Sequence, residues 1–306
     1  MTAAAGDRRQ SAALMQRAAI ASVAVAATLI LAKVAAWVMT DSVAVLSSLL
    51  DSLLDAAASA INLVAIRHAL TPADEEHRFG HGKAEPLAGL AQSAFICGSG
   101  LILLMEAVHR IGAPQPVQRP EIGIAVAVLS ILLSAGLVFY QRRVVARTGS
   151  VAIAADSLHY GSDALLNLAV IAAIVLGGFF QSPLVDPVFG ALISLWILWG
   201  ALGIARQSFD LLMDRELPSA DRSRILAIAR SRPEVLVFHD LRTRSAGTHI
   251  FVQMHIELDP DMRLARAHAI ADDVEADIRA AYPHAEIIIH QDPAGEMEPH
   301  RASAAP

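Results

Sequence analysis

Cysteine and charged residues are both scarce in this chain. Cys97 is the single cysteine among 306 residues, and it lies inside an apolar run. One cysteine excludes an internal disulfide framework and any metal cluster built from several thiolates. Charged residues make up 18% of the chain and hydrophobic residues 55%, whereas soluble domains are about 25% charged. This balance indicates an integral membrane protein with a smaller soluble part.

An excess of basic charge is also missing. The formal net charge is −6, and the acidic residues crowd the C-terminal third of the chain. Nucleic acid is therefore not an expected partner. The chain shows neither a paired nucleophile and base nor a glycine-rich cofactor loop, which argues against an enzyme.

Six long apolar segments predict six transmembrane helices. A helix needs about 20 mostly apolar residues to cross the hydrocarbon of a bilayer. The segments are residues 16–39, 42–69, 84–111, 119–146, 149–179 and 184–212. Nearly all Arg and Lys residues of the short loops fall on one side of the membrane, so the positive-inside rule places both termini in the cytoplasm.

The composition changes after residues 214–218, where a soluble domain is predicted. Its pattern reads helix 219–230, strand 234–244, strand 249–258, helix 263–281 and strand 286–290. The second strand alternates cleanly between apolar and polar residues, so one face of it should be buried. This order predicts a small α+β domain with helices on one face of a sheet. The predicted organisation is therefore a tail at 1–15, a membrane domain at 16–213, a cytoplasmic domain at 214–293 and a disordered tail at 294–306.

The second and fifth apolar segments carry ionisable residues one helical turn apart. Asp51 and Asp55 are four residues apart, and so are His159 and Asp163. Residues at i and i+4 share a helix face, so the two pairs would converge if these helices touch. Three carboxylates and one imidazole suit a tetrahedral divalent cation, zinc first, and ionisable residues inside a membrane mark ion paths. The alternative is a set of helix-end residues that face water or make structural polar contacts.

The loop after the second segment holds a weaker candidate site. Asp74, His77 and His81 are spaced so that they could close on one metal ion, and glycines flank His81. A solvated acidic loop has the same spacing, so the residues alone leave both interpretations open.

Histidines are concentrated in the predicted cytoplasmic domain. It holds six of the twelve: His239, His249, His255, His268, His284 and His290. His239, His255 and His268 could join a site that also carries carboxylates, with a bridged pair of metals as one form. A lone histidine beside an apolar face is more often a packed core residue, and His249 and His284 are expected at the surface.

Six motifs together identify a family resemblance. They are DSLLD at 51–55, HRFGHGKAEPLAGLAQS at 77–93, DSLHYGSD at 156–163, LLMDRELP at 211–218, HDLRTR at 239–244 and IIIHQDP at 287–293. Over nearly its whole length the chain resembles the cation diffusion facilitator family. The resemblance implies an α-helical membrane protein with six transmembrane helices and a C-terminal α+β ferredoxin-like, metallochaperone-like cytoplasmic domain.

The resemblance also implies the site residues. A transport site would use Asp51, Asp55, His159 and Asp163, a loop site Asp74, His77 and His81, and a cytoplasmic site His239, His255, His268, His290 and Asp292, while Lys83 and Asp214 would form a charge interlock near the membrane surface.

The implied activity is exchange of a cytoplasmic divalent cation for external protons by a homodimer in a bacterial inner membrane, with one transport site in each protomer. Zn²⁺ would be both substrate and regulator, and Cd²⁺, Fe²⁺, Co²⁺ and Mn²⁺ remain open as substrates. Two rival hypotheses are a membrane-anchored cytosolic metal sensor without transport and a passive channel.

Overall fold

The computed structural model describes residues 2–40, 43–112, 121–180, 185–247 and 249–295. The chain divides into two compact units, one of residues 9–209 and one of residues 210–306 together with 1–8. The predicted disordered tail at 294–306 lies outside the described residues from 296 onward.

The first unit consists of long helices. They are α1 (Thr2–Thr40), α2 (Val43–Ala69), α3 (Ala84–Gly112), α4 (Glu121–Thr148), α5 (Val151–Phe180) and α6 (Val185–Leu212). Helix α1 begins well before the apolar run at residue 16, because the preceding residues include many alanines, which favour helix. Within the described residues, α1, α2, α3, α4 and α6 are long and apolar enough to cross a membrane. Helix α5 carries the polar stretch DSLHYGSD in its first half.

Helix α5 lies at the centre of the described packing and contacts α2, α3 and α4. The predicted contact between α2 and α5 is therefore present. Small residues allow helices to approach closely: a Cβ added to Gly200 of α6 would lie 3.0 Å from Cδ1 of Leu158 in α5. This close approach occurs next to His159, so the packing of α6 helps to fix the position of that histidine's backbone.

The C-terminal unit is a three-stranded sheet with two helices. Its elements are α7 (Ser219–Arg230), β1 (Val237–Ala246), β2 (His249–Leu258), α8 (Leu264–Ala281) and β3 (Ala285–Pro293). The strand order is β1-β2-β3, with β1 antiparallel and β3 parallel to β2. Val252, Met254 and Ile256 of β2 are buried in one cluster with Val274 and Ile278 of α8. The predicted α+β domain with helices on one face is confirmed.

The first and last strands differ from the prediction at both ends, since β1 ends at Ala246 rather than 244 and β3 begins at Ala285 rather than 286. The first strand begins at Val237 rather than residue 234, because a turn at 233–234 precedes it. The last strand continues to Pro293 rather than ending at His290, because its parallel pairing with β2 extends to the Leu258–Pro293 pair.

An irregularity in β1 aligns histidines across the sheet. The register shifts between His239 and Arg242, and Asp240 between them has φ 48°. On either side of this bulge the strands stay paired, so His239 lies opposite His255, and His255 lies opposite His290. Since side chains alternate along a strand, the three histidines occupy the face opposite the apolar core.

Candidate metal centres

The contact between α2 and α5 brings three ionisable side chains together between the helices. Nε2 of His159 lies 3.1 Å from Oδ1 of Asp55 and 3.7 Å from Oδ2 of Asp163. The ligand atoms of the three residues all lie within 4.8 Å of one another. His159 is buried, and both carboxylates are half-buried. Two carboxylate oxygens and an imidazole nitrogen at these separations can share one divalent cation. We call Asp55, His159 and Asp163 the membrane cluster.

Asp51, the fourth predicted ligand, lies outside the membrane cluster. It lines the same cavity as Asp55 and Asp163, whose volume is about 220 Å³. Because Asp51 precedes Asp55 by one turn of α2, both carboxylates face this space. Its participation as a ligand stays a prediction.

Sequence reasoning missed two ionisable residues of this cavity. Lys33 of α1 lines it, and its Nζ donates hydrogen bonds to the carbonyl oxygen of Ser48 at 3.0 Å and to Oγ of Ser52 at 2.6 Å. Tyr160 lines it as well, and its hydroxyl donates to the carbonyl oxygen of Ser22 at 3.1 Å. A lone lysine in the middle of the first apolar run was the signal that could have identified Lys33.

Asp156, one turn before His159, is fully buried among neutral polar groups. Nε2 of Gln141 donates to it at 2.6 Å and Nε2 of Gln92 at 3.2 Å, and the hydroxyl of Ser22 also donates. These partners belong to α4, α3 and α1, so the carboxylate connects α5 with three other helices. Buried polar groups are expected to be paired in this way, and the network is a structural contact beside the membrane cluster.

The loop site is compact. Oδ1 of Asp74 lies 3.4 Å from Nδ1 of His77, and Oδ2 lies 3.4 Å from Nε2 of His81. Gly80, with φ 77°, supplies the left-handed turn that returns His81 towards Asp74. The backbone N–H of His77 donates to Oδ1 of Asp74 at 2.6 Å, and this hydrogen bond lowers the pKa of the Asp74 carboxyl below its ordinary value. All three predicted residues therefore lie within reach of one ion.

The cytoplasmic site is centred on Asp292, whose side chain is buried. Its Oδ2 lies 2.9 Å from Nδ1 of His255 and 3.4 Å from Nε2 of His239, and its Oδ1 lies 3.1 Å from Nε2 of His290. Glu257, which sequence reasoning missed, lies 3.7 Å from Nε2 of His239. Glu257 pairs with Asp292 in the β2–β3 register. It also lies two residues after His255, on the same face of β2, and this spacing was the signal that could have predicted its place in the site. We call His239, His255 and Asp292 the sheet cluster.

Three further predicted residues lie apart from these clusters. His268 is exposed on α8, where its Nε2 is 3.5 Å from Oδ2 of Asp272, and it is not part of the sheet cluster. Lys83 directly precedes α3 in the first unit, and Asp214 of the second unit lies 3.3 Å from the guanidinium of Arg244. The interlock between Lys83 and Asp214 stays a prediction.

Comparison with known proteins connects these geometries to a family. The family model described as cation efflux transmembrane domain matches residues 19–213. The chain belongs to the cation efflux family. A second model, cation efflux protein, cytoplasmic domain, matches residues 217–294. The resemblance drawn from the six motifs is therefore confirmed, and so is the prediction that this is a transporter and not an enzyme.

Individual relatives match over almost the full length of this cation efflux protein. The cation-efflux pump FieF of Shewanella oneidensis is 48% identical over 281 residues, which cover 91% of this chain and 94% of that protein. FieF of Cronobacter sakazakii is 44% identical over 280 residues, which cover 92% of this chain and 93% of that protein. Among solved structures, the metal-bound C-terminal domain of the CzcD transporter from Thermotoga maritima is 29% identical, with a TM-score of 0.25, covering 26% of this chain and 93% of that one.

Proposed function

We propose that this cation efflux protein exports divalent transition-metal ions, zinc first with cadmium and ferrous iron as further substrates, in exchange for protons. The membrane cluster is the observation that carries the proposal, because its two carboxylates and one imidazole meet between helices α2 and α5. The cavity beside it adds the carboxylate of Asp51, which supplies the fourth ligand of the transport site.

The same donors explain how protons drive export. A carboxylate or imidazole that carries a proton cannot bind metal, so metal binding and protonation exclude each other. Metal enters from the cytoplasm while the cluster is deprotonated, and protons from the outside displace it after the cavity has opened to that side. An inward proton gradient then drives metal outward.

The active form is proposed to be a homodimer in a bacterial inner membrane, with one transport site in each protomer and both termini in the cytoplasm. The match to the cytoplasmic-domain model, which is labelled ZT_dimer, supports dimerisation. The distribution of Arg and Lys in the short loops supports the orientation.

The sheet cluster and the loop site are proposed to bind zinc for regulation and stability rather than for transport. His290, whose Nε2 lies 3.1 Å from Oδ1 of Asp292, extends the sheet cluster, and His268 is proposed as a further ligand of the cytoplasmic site. Metal at these positions would couple the cytosolic metal level to the six-helix unit. Lys83 and Asp214 are proposed to form a charge interlock that takes part in this coupling. The coupling is allostery only if metal bound in the cytoplasmic domain changes metal binding or transport at the transport site.

The proposal is tested with purified protein in proteoliposomes that carry a proton gradient. Wild-type protein should move zinc against its own gradient, and the internal pH should change as metal moves. Asp55→Ala should abolish this flux, because it removes a ligand of the membrane cluster. Glu106→Ala is the matched control, since Glu106 pairs with Arg110 on an exposed part of α3 and should transport normally.

The outcomes separate the rival hypotheses. Zinc movement that only follows its own gradient would show a channel. Metal binding without any flux would show a sensor. Full exchange by Asp55→Ala would remove that residue from the transport site.

A further inference from the structure

Lys33 places a cationic side chain in the wall of a cavity proposed to bind a cation. Its side chain lines the same space as Asp51, Asp55 and Asp163. Because the four side chains line one cavity, the ammonium group lies in the electrostatic field of the three carboxylates. A basic group beside a metal site repels the metal, so its presence needs a physical reason.

Lys33 is held at the edge of the cavity by α2. Its Nζ donates to the carbonyl oxygen of Ser48 and to Oγ of Ser52, and Ser52 is the residue after Asp51. These two acceptors take two of the three N–H donors of the ammonium group. The group remains within the electrostatic field of the carboxylates. The side chain is flexible, since a lysine has a four-carbon stem, and can move towards the carboxylates without a backbone change.

The charges of the cavity give the reason. Asp51, Asp55 and Asp163 together carry three negative charges when deprotonated, and a divalent cation offsets two of them. The ammonium of Lys33 offsets the third, so the metal-loaded cavity is neutral. Net charge inside a bilayer is costly, so a neutral loaded site can close and reopen across the membrane at less electrostatic cost than a charged one.

We propose that Lys33 is the internal counter-cation of the transport site. It balances the third carboxylate while metal is bound, and it moves towards the carboxylates when metal leaves. Its repulsion weakens metal binding and thereby speeds release. This inference rests on the proposed transport site and adds a residue that sets affinity and turnover without touching the metal.

A simpler role for Lys33 is mechanical, because its hydrogen bonds tie α1 to α2. The two roles differ in which substitution matters. Lys33→Gln keeps a hydrogen-bond donor and loses the charge, Lys33→Met loses both, and Lys33→Arg keeps both. A counter-cation predicts that Gln and Met behave alike, whereas a mechanical tie predicts that Gln resembles the wild type.

The experiment measures Zn²⁺ affinity in the full-length dimer by competition with a fluorescent chelator at pH 8. The loop site and the sheet cluster are silenced in every sample by His77→Ala, His239→Ala and His255→Ala. Zinc flux into proteoliposomes is measured for the same variants. Gel filtration and circular dichroism establish that each variant is folded.

Lys33→Gln and Lys33→Met are expected to bind Zn²⁺ with a Kd at least about tenfold lower than the reference protein, because a nearby positive charge has been removed. Their maximal flux should fall, since release becomes slower. Lys33→Arg should keep the reference Kd within about threefold, because its guanidinium stays charged.

Three results would overturn the inference: an unchanged or higher Kd in Lys33→Gln, a difference between Lys33→Gln and Lys33→Met, or a tenfold change in Lys33→Arg. A tenfold change in Lys33→Arg would overturn the inference even if the neutral variants do not fold, whereas only a folded neutral variant separates the counter-cation from the mechanical tie. Asp55→Ala in the same background separates this inference from the proposed function. If Asp55→Ala retains full Zn²⁺ binding, the transport site itself is wrong; if it loses binding while Lys33→Gln has no effect, only the role of Lys33 fails.

Discussion

The membrane cluster and the sheet cluster use similar ligands on opposite kinds of scaffold. The membrane cluster takes Asp55 from α2 and its other two residues from one turn of α5. The sheet cluster takes one residue from each of three hydrogen-bonded strands. Asp292 at its centre is buried, while the neighbouring His290 has 61% of its side chain exposed.

This difference indicates what each cluster can do. Two helices joined by side-chain contacts can separate or rotate, so a site between them can open to one side and then to the other. Strands joined by a continuous backbone ladder keep their spacing, so a site built across them stays assembled. The membrane cluster is therefore suited to carrying an ion, and the sheet cluster to retaining one.

The largest expected effect comes from breaking the membrane cluster. Asp163→Asn should lower the rate of zinc transport at least about 100-fold, because a direct ligand should matter more than the outer partners of metal sites, whose loss costs about 10–100-fold in affinity or activity. Initial rates of zinc uptake into proteoliposomes measure this. Asp292→Asn is the matched control and should keep its maximal rate; equal losses in both variants would contradict the division of roles.

A second change alters the ligand type without removing the ligand. His159→Asp replaces the nitrogen donor of the membrane cluster by a harder oxygen donor, so the preference for zinc over cadmium should loosen by about tenfold. Competition titrations with both metals measure the ratio of the two Kd values. His290→Asp is the comparison variant, and a similar change of transport preference there would mean that the membrane cluster does not set selectivity.

A third change tests the regulatory role of the sheet cluster. Asp292→Asn should raise the zinc concentration that gives half-maximal transport by about fivefold, which is a modest allosteric coupling. Transport rates measured across a zinc series provide the value. A folded Asp292→Asn protein that has lost transport altogether would instead give Asp292 a role in the transport step.

The smallest effect concerns the loop site and pH. The hydrogen bond from His77 lowers the pKa of Asp74 below its ordinary 3.8, so the carboxylate is ionised at every pH above that value and its contribution is lost only as pH falls through the lowered pKa. Asp74→Asn should therefore weaken zinc binding at the loop by the same factor at pH 5.5 and pH 7.5. Calorimetry at both values, with the other two sites silenced, measures it; a factor that shrinks at pH 5.5 would show a carboxylate that titrates in this range.

Much of the fold could be predicted from the sequence because the relevant signals are local. The length of each apolar run locates the helices, and the alternation from Ile250 to Leu258 locates the buried face of β2. The spacing of Asp51 with Asp55, and of His159 with Asp163, identifies two helix faces. The loop residues Asp74, His77 and His81 also assemble as their short separation suggests.

The remaining features depend on contacts between distant segments. Lys33 joins the cavity only because α1 packs beside α2, and nothing in its own surroundings along the chain indicates that neighbour. Asp156 is paired by residues of three other helices, and its own position along α5 does not indicate those partners. The bulge after His239 arises from a backbone conformation at Asp240 that single-residue preferences do not specify, since non-glycine residues rarely adopt positive φ.

The network around Asp156 also bears on how the protein is made. Its three partners, Ser22, Gln92 and Gln141, all precede it in the chain, so a ribosome delivers them before α5 emerges. A carboxylate at the centre of a helix costs about 3 kcal/mol to insert alone, and α5 carries Asp163 near its centre in addition to Asp156 in its second turn. Integration of α5 into the bilayer should therefore depend on the four helices that precede it. In a shortened chain that lacks α1, α5 should fail to insert into the bilayer.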